Sequence, residues 1–292
     1  MDWITGLQKA IDYVEENLTE ELNYADVAAK ACMSGFYFQR IFSITCNLSL
    51  GEYIRCRRLT LAGAELSQTA NKKVIDVALK YGYSSPDSFA KAFTHFHGIT
   101  PSAAREPGAG LKSFSRLSIK ISLEGGNIMD YRIEEKPAFK VVGKFHMFNA
   151  SDEFVRDDIP AFWSKCHEDG TVNALYKMSL NFKNSSVIFG ACCGSDGVDT
   201  SQFSYLIGAI CENGEIPDGY SVKEIPGYTW AIFRCVGAMP RAIQFLWRRI
   251  YTEFFPASEY RPIQGIDLEA YYEGNMNDEK YVSEIWIPVE KK

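Results

Sequence analysis

The stretch "SSPDSFAKAFTHFHGITP", residues 84–101, has the pattern of a short amphipathic helix with a defined start and end. Pro86 suits the first helical position because its missing N–H would have no partner there, and Gly98 favours the helix end. The apolar side chains recur at helical spacing and form one stripe: Phe89, Ala92, Phe93 and Phe96. Asp87 and Lys91 lie on the opposite side. The pattern therefore predicts a helix that aromatic rings hold from behind and that has a polar outer face.

The same pattern occurs twice in the N-terminal part of the chain. "DVAAK" at 26–30 recurs as "DVALK" at 76–80, and "FQRIF" at 38–42 is echoed by "FAKAF" at 89–93. Each unit reads as a short helix, a turn and a second amphipathic helix, which is the arrangement of a helix-turn-helix. Residues 50–68 have a longer amphipathic pattern and predict a helix that joins the units. The N-terminal part therefore predicts an all-α domain with two helix-turn-helix units.

The outer faces of the second helices carry polar side chains. The helical period predicts that the outward residues are Phe36, Gln39, Arg40 and Ser43 in the first unit and Asp87, Lys91 and Thr94 in the second. Such residue types contact base edges and phosphates in DNA. Helix-turn-helix geometry also occurs in plain helical domains, where an outward lysine is merely solvated. Two units in tandem, with Arg40 matched by Lys91, favour DNA binding.

Residues 8–105 resemble the DNA-binding domain of the AraC/XylS family of bacterial transcription regulators. The most specific motifs are G-Y-x-S at 82–85, F-x-K-x-F at 89–93 and G-x-T-P-x-x-x-R at 98–105. The resemblance implies two recognition helices in successive major-groove segments, about 34 Å apart along one face of DNA. It implies that the base-reading positions are Phe36, Gln39, Arg40, Asp87, Ser88 and Lys91. It also implies promoter DNA and RNA polymerase as partners.

Asp87 departs from the family pattern, because relatives often carry polar amides in this part of the helix. Its carboxylate can accept a hydrogen bond from cytosine N4, but phosphate repels it. The second recognition helix is therefore expected to read bases weakly or to read a different sequence.

The composition changes after the second unit. Residues 106–127 are rich in Gly and Ser and contain a Pro, which predicts an interdomain linker with a short strand over 117–123. The predicted domains are therefore a DNA-binding domain over residues 1–105 and a second domain over residues 128–292. The first carries 11 Lys and Arg against 11 Asp and Glu, and the second carries 17 against 24. In the balanced first domain the acids come early and the bases later, which suggests one basic face.

Residues 128–292 are dominated by stretches of alternating hydrophobicity, which predict strands. Two helical patterns interrupt them, over 152–167 and 240–254. The order is strand, helix, strand, strand, and then the same again, and "KPAFKVV" and "IPGYTWA" open the two halves. The sequence therefore predicts an α+β domain of two similar halves, with helices on one side of a sheet and a cleft between the halves.

The last predicted strand places carboxylate and indole groups on one face. Glu284 and Trp286 alternate with Ile285 and Ile287, and the aliphatic phase is expected to face the helices. Other aromatic and acidic residues of the predicted cleft are Trp163, Tyr228, Trp230, Glu269 and Tyr271. A cleft of this kind suits a flat apolar ligand, above all a cationic one, through stacking and cation–π contacts. An ordinary aromatic core with carboxylates at its rim is the alternative interpretation.

This second half resembles the GyrI-like effector-binding domain of multidrug-responsive regulators, over about residues 127–289, and "EIWIPV" at 284–289 is its most specific piece. The resemblance implies a buried glutamate that contacts the ligand, at Glu284. Two alternatives stay open. Some relatives resemble hydrolases that use a Glu with Trp or Tyr, so Glu284 could act as a general base, and related stand-alone domains bind other proteins.

The overall composition fits a multidomain protein of 292 residues, of which 46% are hydrophobic and 14% aromatic. No apolar run approaches the roughly 20 residues that span a bilayer, and the N-terminus lacks a signal-peptide pattern. The expectation is a cytoplasmic protein without a membrane partner. The 8 cysteines form no C-x-x-C pair and only 4 histidines occur, so no metal, cofactor or catalytic residue is predicted.

Overall fold

A computed structural model of the chain describes residues 3–69, 72–119, 128–149, 155–183, 186–194, 202–211 and 216–292. The chain divides into two compact units, Met1–Ser122 and Leu123–Lys292. The described part of the first unit is helical, and that of the second combines antiparallel strands with helices. The predicted fold class, a helical domain followed by an α+β domain, is confirmed.

The N-terminal unit contains the two predicted helix-turn-helix pairs and the helix that joins them. Its helices are α1 Trp3–Glu16, α2 Tyr24–Lys30, α3 Gly35–Cys46, α4 Leu50–Gln68, α5 Val74–Lys80 and α6 Pro86–His97. Helix α6 begins and ends as its sequence predicts. Pro86 occupies the first turn, the Ser85 side chain accepts from Ser88 N, and Gly98 follows with φ 81°. That φ lies in the left-handed region, which glycine tolerates best.

Each pair of helices has its own aromatic core, and α4 contributes to both. Phe38 and Phe42 of α3 are fully buried with Tyr53 of α4. In the second pair Phe89 and Phe93 are fully buried in the same manner. The stripe predicted in the second unit is thus the side of α6 that packs, which leaves the opposite side of the helix to solvent.

Residues 111–119, here called the strap, lie in the predicted linker but belong to the N-terminal unit. Backbone groups of the strap bond to side chains of α4 and α1: Phe114 N donates to Thr60 Oγ1 (2.9 Å), Arg57 Nη1 donates to Phe114 O (2.6 Å), Leu117 N donates to the Tyr53 hydroxyl (3.2 Å) and Ile119 N donates to Gln8 Oε1 (2.9 Å). Residues 111–119 of the predicted linker are therefore bonded to the N-terminal unit. Residues 117–119 are not in a strand, and the rest of the predicted strand lies outside the described residues.

The C-terminal unit alternates pairs of strands with helices. Its elements are β1 Tyr131–Lys136, β2 Phe139–Asn149, α7 Val155–Glu168, α8 Thr171–Lys183, β3 Val187–Gly194, β4 Gln202–Ile210, β5 Ser221–Ile225, β6 Tyr228–Val236, α9 Arg241–Arg249 with a π-helical turn Ile250–Phe254, α10 Phe255–Ala257, β7 Tyr260–Pro262, β8 Ile266–Tyr272 and β9 Val282–Lys291. Each half therefore opens with two strands rather than one, and α8 adds a helix that was not predicted.

The sheet confirms the two similar halves and shows how they interlock. Its strand order is β1-β6-β9-β8-β3-β4-β2-β5, with the short β7 paired to β9. The strands β1, β2, β3 and β4 of the first half correspond to β5, β6, β8 and β9 of the second. Exchanging each strand for its counterpart gives the same order read from the other end. The first strand of each half pairs with the second strand of the other half, β1 with β6 and β5 with β2. Neither half can therefore complete its edge without the other.

The sheet is strongly curved. The rings of Phe139 on β2 and Trp230 on β6 lie 6.3 Å apart, although four strands separate them in the sheet order. In a flat sheet these strands would be about 24 Å apart, at roughly 4.8 Å per strand. The concave face therefore packs against itself, with Trp230, Trp286 and Phe189 in its core. Helices α7 and α9 lie on the other face, where their Trp163 and Trp247 contact β8 residues.

Candidate functional site

Helix α6 presents its predicted polar face to solvent. Asp87, Ser88 and Lys91 are exposed, whereas Phe89 on the other side is fully buried. Ser88 also takes part in the helix cap, since its backbone N donates to Ser85 Oγ (3.2 Å) and its Oγ donates to Ser85 O (2.9 Å). Asp87 and Lys91 are therefore the exposed residues of this set that do not take part in these cap hydrogen bonds.

Helix α3 presents less of its predicted face. Gln39, Arg40 and Ser43 are half-buried, and Phe36 is only 8% exposed, so its ring contributes to packing. The sequence could not show this, because the first turn of the helix reads Phe-Tyr-Phe and is apolar in every direction. The assignment of base-reading positions in both helices stays a prediction.

An ion-pair network fastens the second unit to α4. Lys72 and Lys80 both bind the Glu65 carboxylate, the latter at 2.7 Å, and the Tyr81 hydroxyl donates to it at 2.9 Å. Burial alone would raise the pKa of Glu65, but these hydrogen bonds and the lysine charges bring it down to about 2. Glu65 therefore stays ionised and holds both ends of α5 against the joining helix.

A carboxylate surrounded by aromatic side chains lies on the helix side of the sheet. Glu269 on β8 accepts from Trp247 Nε1 (2.6 Å), from the Tyr271 hydroxyl (2.9 Å) and from the Tyr205 hydroxyl (3.4 Å). Trp163 Nε1 of α7 donates to the Tyr205 oxygen at 3.1 Å, and its ring lies 5.1 Å from that of Tyr271. These five residues, here called the Glu269 cluster, come from both halves of the domain.

Within the described residues, the side chains that bond to Glu269 are uncharged. The groups that donate to Glu269 are neutral indole and phenol groups, and in the described part of the chain this carboxylate forms no ion pair. Burial, followed by the nearby Glu269 charge, holds the pKa of Tyr271 well above its usual range. The hydroxyl of Tyr271 thus remains a donor to the carboxylate at neutral pH. Glu269 itself is half-buried rather than fully buried.

A glycine beneath the cluster gives it room. Gly190 on β3 pairs with Glu269 across the central strands. A methyl group at Gly190 would lie 2.2 Å from the Tyr205 hydroxyl oxygen and 3.3 Å from the Trp163 ring. Both distances are shorter than ordinary van der Waals contact. The Tyr205 phenol and the Trp163 indole can therefore occupy these positions because residue 190 is a glycine.

Glu284 lies on the opposite, concave face and is already paired. Its oxygens accept from Arg132 Nη1 (2.7 Å), Arg132 Nη2 (3.2 Å) and Trp286 Nε1 (2.8 Å). The Glu284 side chain is 8% exposed and that of Arg132 is 43% exposed. The prediction that Glu284 faces away from the phase of Ile285 is confirmed by the register, but the carboxylate that was expected to await a cation has one from β1.

The seven predicted ligand residues therefore do not share one cleft. Trp163, Glu269 and Tyr271 meet on the helix side, whereas Tyr228, Trp230, Glu284 and Trp286 lie on the concave face, because Ala270 rather than Glu269 pairs with Glu284. The prediction of a single site is wrong in this respect. Sequence reasoning also missed Arg132, Tyr205 and Trp247. Tyr205 lies in the alternating run "FSYLIGAI", which marked a strand but not its partner.

Among the described residues, no group of His, Cys, Asp or Glu side chains has the arrangement of a metal site. No described helix is both long enough and apolar enough to cross a membrane.

Comparison with known proteins agrees with the two units. Residues 129–290 match the GyrI-like small molecule binding domain, and residues 27–107 match a helix-turn-helix domain. The chain is 39% identical over 116 residues to the HTH-type transcriptional activator AarP of Providencia stuartii. The aligned residues make up 40% of this chain and 85% of AarP.

Two solved structures are similar to one unit each. A transcriptional regulator from Chromobacterium violaceum, described as AraC-type, shares 28% identity with a TM-score of 0.33 over 35% of this chain and 95% of its own. The structure of SAV2435 bound to tetraphenylphosphonium shares 22% identity with a TM-score of 0.49 over 56% of this chain and 94% of its own. The matches over residues 27–107 and 129–290, together with the identity to AarP, show that the chain belongs to the AraC-type helix-turn-helix transcription regulators that carry a C-terminal GyrI-like small molecule binding domain.

Proposed function

We propose that this regulator binds promoter DNA through α3 and α6 and senses a lipophilic aromatic cation at the Glu269 cluster. The observation that carries the ligand class is a half-buried carboxylate that receives hydrogen bonds from Trp247, Tyr271 and Tyr205 but has no cationic partner in the described residues. Promoter binding would place the protein in the bacterial cytoplasm.

The physical argument rests on charge and ring chemistry together. A carboxylate that loses hydration is stabilised by a positive partner. The faces of Trp163 and Tyr271 attract cations and stack on flat apolar groups. A ligand that combines a delocalised positive charge with aromatic rings satisfies both requirements, whereas a neutral molecule of the same shape satisfies only the second.

Glu284 fits this role less well than Glu269. Its two oxygens already bond to Arg132, so a cationic ligand would have to displace a guanidinium. We therefore assign the ligand contact to Glu269, and we assign Glu284 to holding β1 on the sheet.

We also propose that the domain is not an enzyme. The three donors to Glu269 occupy both of its oxygens, so a substrate proton would have to displace one of these hydrogen bonds. AarP is named a transcriptional activator, so we propose activation, with RNA polymerase as the partner at the promoter.

The ligand proposal is tested with tetraphenylphosphonium and the neutral triphenylphosphine oxide, by calorimetry on the full chain. Glu269→Gln keeps the size of the side chain and removes its charge. This substitution should lower the affinity for the cation by about tenfold or more, and the affinity for the neutral compound by less than about twofold. Glu273→Gln, at an exposed position just after β8, is the matched control. Equal binding of the cation by the wild type and Glu269→Gln would rule out the charge argument.

A further inference from the structure

A cavity opens on the concave face of the sheet, away from the Glu269 cluster. Its volume is about 350 Å³, and its apolar walls are formed by Phe139, Val187, Phe189, Ile210 and Trp286. Ligand pockets in proteins commonly occupy roughly 300–1,000 Å³ and are lined mainly by apolar and aromatic side chains. The concave-face cavity therefore has the size and the walls of a site for a small organic molecule.

The charge at this cavity has the opposite sign to that of the Glu269 cluster. Among the described residues that line it, Lys136 is the one that carries a charge. The Lys136 ammonium lies 4.9 Å from the centre of the Trp286 ring and 2.5 Å from Glu134 Oε2. An ammonium group has three donors, so Lys136 can bind a further acceptor while it keeps Glu134.

The position of Lys136 also decides which ligands are disfavoured. Its ammonium covers the face of Trp286 that a cationic ligand would use, and like charges placed together cost free energy. Arg132, four residues earlier on the same face of β1, binds the Glu284 carboxylate, so this carboxylate is already paired with a cation.

We propose that the concave-face cavity binds a small aromatic monoanion, with its carboxylate at Lys136 and its rings against the apolar walls of the cavity. This is a second ligand site of a different charge class, and it does not depend on the proposal for Glu269. Lys136 and Arg132 both lie on β1, the first strand after the segment that leads from the strap. The anion would therefore act on the first strand of the ligand-binding unit, which is the strand nearest in sequence to the DNA-binding unit.

The test uses 2-naphthoate and its neutral analogue 2-naphthamide, titrated calorimetrically into the full-length protein. The wild type should bind the anion about tenfold or more tightly than the amide. Lys136→Met keeps the length of the side chain and removes the charge. This variant should therefore lose the preference for the anion over the amide, while its affinity for the amide changes by less than about twofold. Lys140→Met, at an exposed position on β2 outside the cavity, is the matched control.

Two further variants fix the location. Ala138 is exposed and lines the cavity, so the indole of Ala138→Trp should fill the cavity without changing the core. The affinity for both naphthalene compounds should then fall. Glu269→Gln should leave naphthoate binding unchanged, which separates the two sites. The proposal is overturned if the wild type does not bind naphthoate, or if naphthoate binds Lys136→Met or Ala138→Trp as tightly as it binds the wild type.

Discussion

Glu269 and Glu284 lie on neighbouring strands, yet their carboxylates point to opposite faces of the sheet. The register pairs Glu269 with Ile285 and Ala270 with Glu284, so one residue of offset separates the two environments. Glu269 meets neutral donors from α9, β4 and β8, whereas Glu284 meets the guanidinium of Arg132. Two glutamates of similar sequence context therefore have different chemistry, and the variants below separate their roles.

The Arg132 to Glu284 pair should contribute to the stability of the C-terminal unit. Arg132→Met removes the cation and leaves a carboxylate that is 8% exposed without its charged partner. Breaking a buried pair costs more than breaking an exposed one, and because Arg132 is 43% exposed we expect a loss of about 1–2 kcal/mol. Urea unfolding followed by fluorescence measures it.

Arg261 offers the control for that experiment. It pairs with Glu290 at 2.9 Å, but both side chains are more than half exposed. Arg261→Met should change the unfolding free energy by less than about 0.5 kcal/mol. Losses of the same size for the two arginine variants would show that burial of Glu284 has no energetic consequence.

Gly190→Ala should disturb the Glu269 cluster without touching the carboxylate. The added methyl group would overlap the Tyr205 hydroxyl, so the phenol must move and its contact with Trp163 must change. We expect tetraphenylphosphonium affinity to fall by about tenfold or more, with a smaller effect on DNA binding. Gly110→Ala is the control, since nothing lies within 4 Å of the added group. Unchanged cation affinity in Gly190→Ala would remove this cluster as the site.

His97 should make the N-terminal unit less stable in mild acid. Its ring is 3% exposed, Nδ1 accepts from Lys112 N at 3.1 Å, and Nε2 therefore carries the proton and donates to Leu59 O at 3.0 Å. Burial, with a smaller contribution from the Lys112 charge, lowers the pKa of His97 below 6.5. The unfolded chain then binds a proton that the folded chain does not.

The stability from neutral His97 is thus present above about pH 6.5 and is lost as the pH falls toward the lowered pKa, by up to about 1.4 kcal/mol per pH unit. Unfolding of the wild type and of His97→Gln between pH 7.5 and pH 5.5 checks this, and the variant should show the smaller dependence. His95→Gln, at an exposed position of α6, should behave as the wild type does. A pH dependence that survives in His97→Gln would assign the effect to another group.

Arg40 and Lys91 should separate base reading from phosphate contact. If Arg40 reads a guanine, Arg40→Ala should cost about 1–3 kcal/mol on the operator and much less on unrelated DNA. Lys91→Ala is the matching variant in α6, where the side chain is exposed. Binding is measured by fluorescence anisotropy on both DNAs at several salt concentrations. An equal loss on both DNAs would make Arg40 a phosphate contact and contradict its role as a base reader.

The sequence predicted the elements whose side-chain period is strong and local. Helix α6 has its cap, its stripe and its terminal glycine within a short stretch, so its bounds follow from the sequence. Strands β1 and β5 were missed because they read "YRIEEK" and "SVKEI", in which charges hide the alternation of edge strands. Helix α8 was missed since its apolar residues are mixed with polar ones, as in "TVNALYKMSLNFK".

The sites were harder to predict than the elements, because their partners are distant in the chain. Strand phase correctly grouped Glu269 with Tyr271 and Glu284 with Trp286. It could not show that Arg132, 152 residues before Glu284, would reach it. Only the strand order decides that β1 pairs with β6, next to β9. Tertiary pairing of this kind is not encoded in any local pattern.

The boundary of the DNA-binding domain gives the last prediction. The sequence pattern ends the domain at residue 105, but the strap packs Phe114, Leu117 and Ile119 against the core of the first helix-turn-helix unit. We propose that the stable domain extends to Ser122, where the first compact unit ends. A fragment of residues 1–122 should be more stable than one of residues 1–107.

The expected difference is about 2–4 kcal/mol, because four half-buried apolar side chains of the strap and several backbone hydrogen bonds are lost in the shorter fragment. Phe114→Ala in the longer fragment is the graded variant, and Arg116→Ala, which removes only an exposed pair with Asp12, is its control. Circular dichroism during thermal unfolding measures all four. Equal midpoints for the two fragments would mean that the strap is a linker after all, and that residues 1–105 hold their own core.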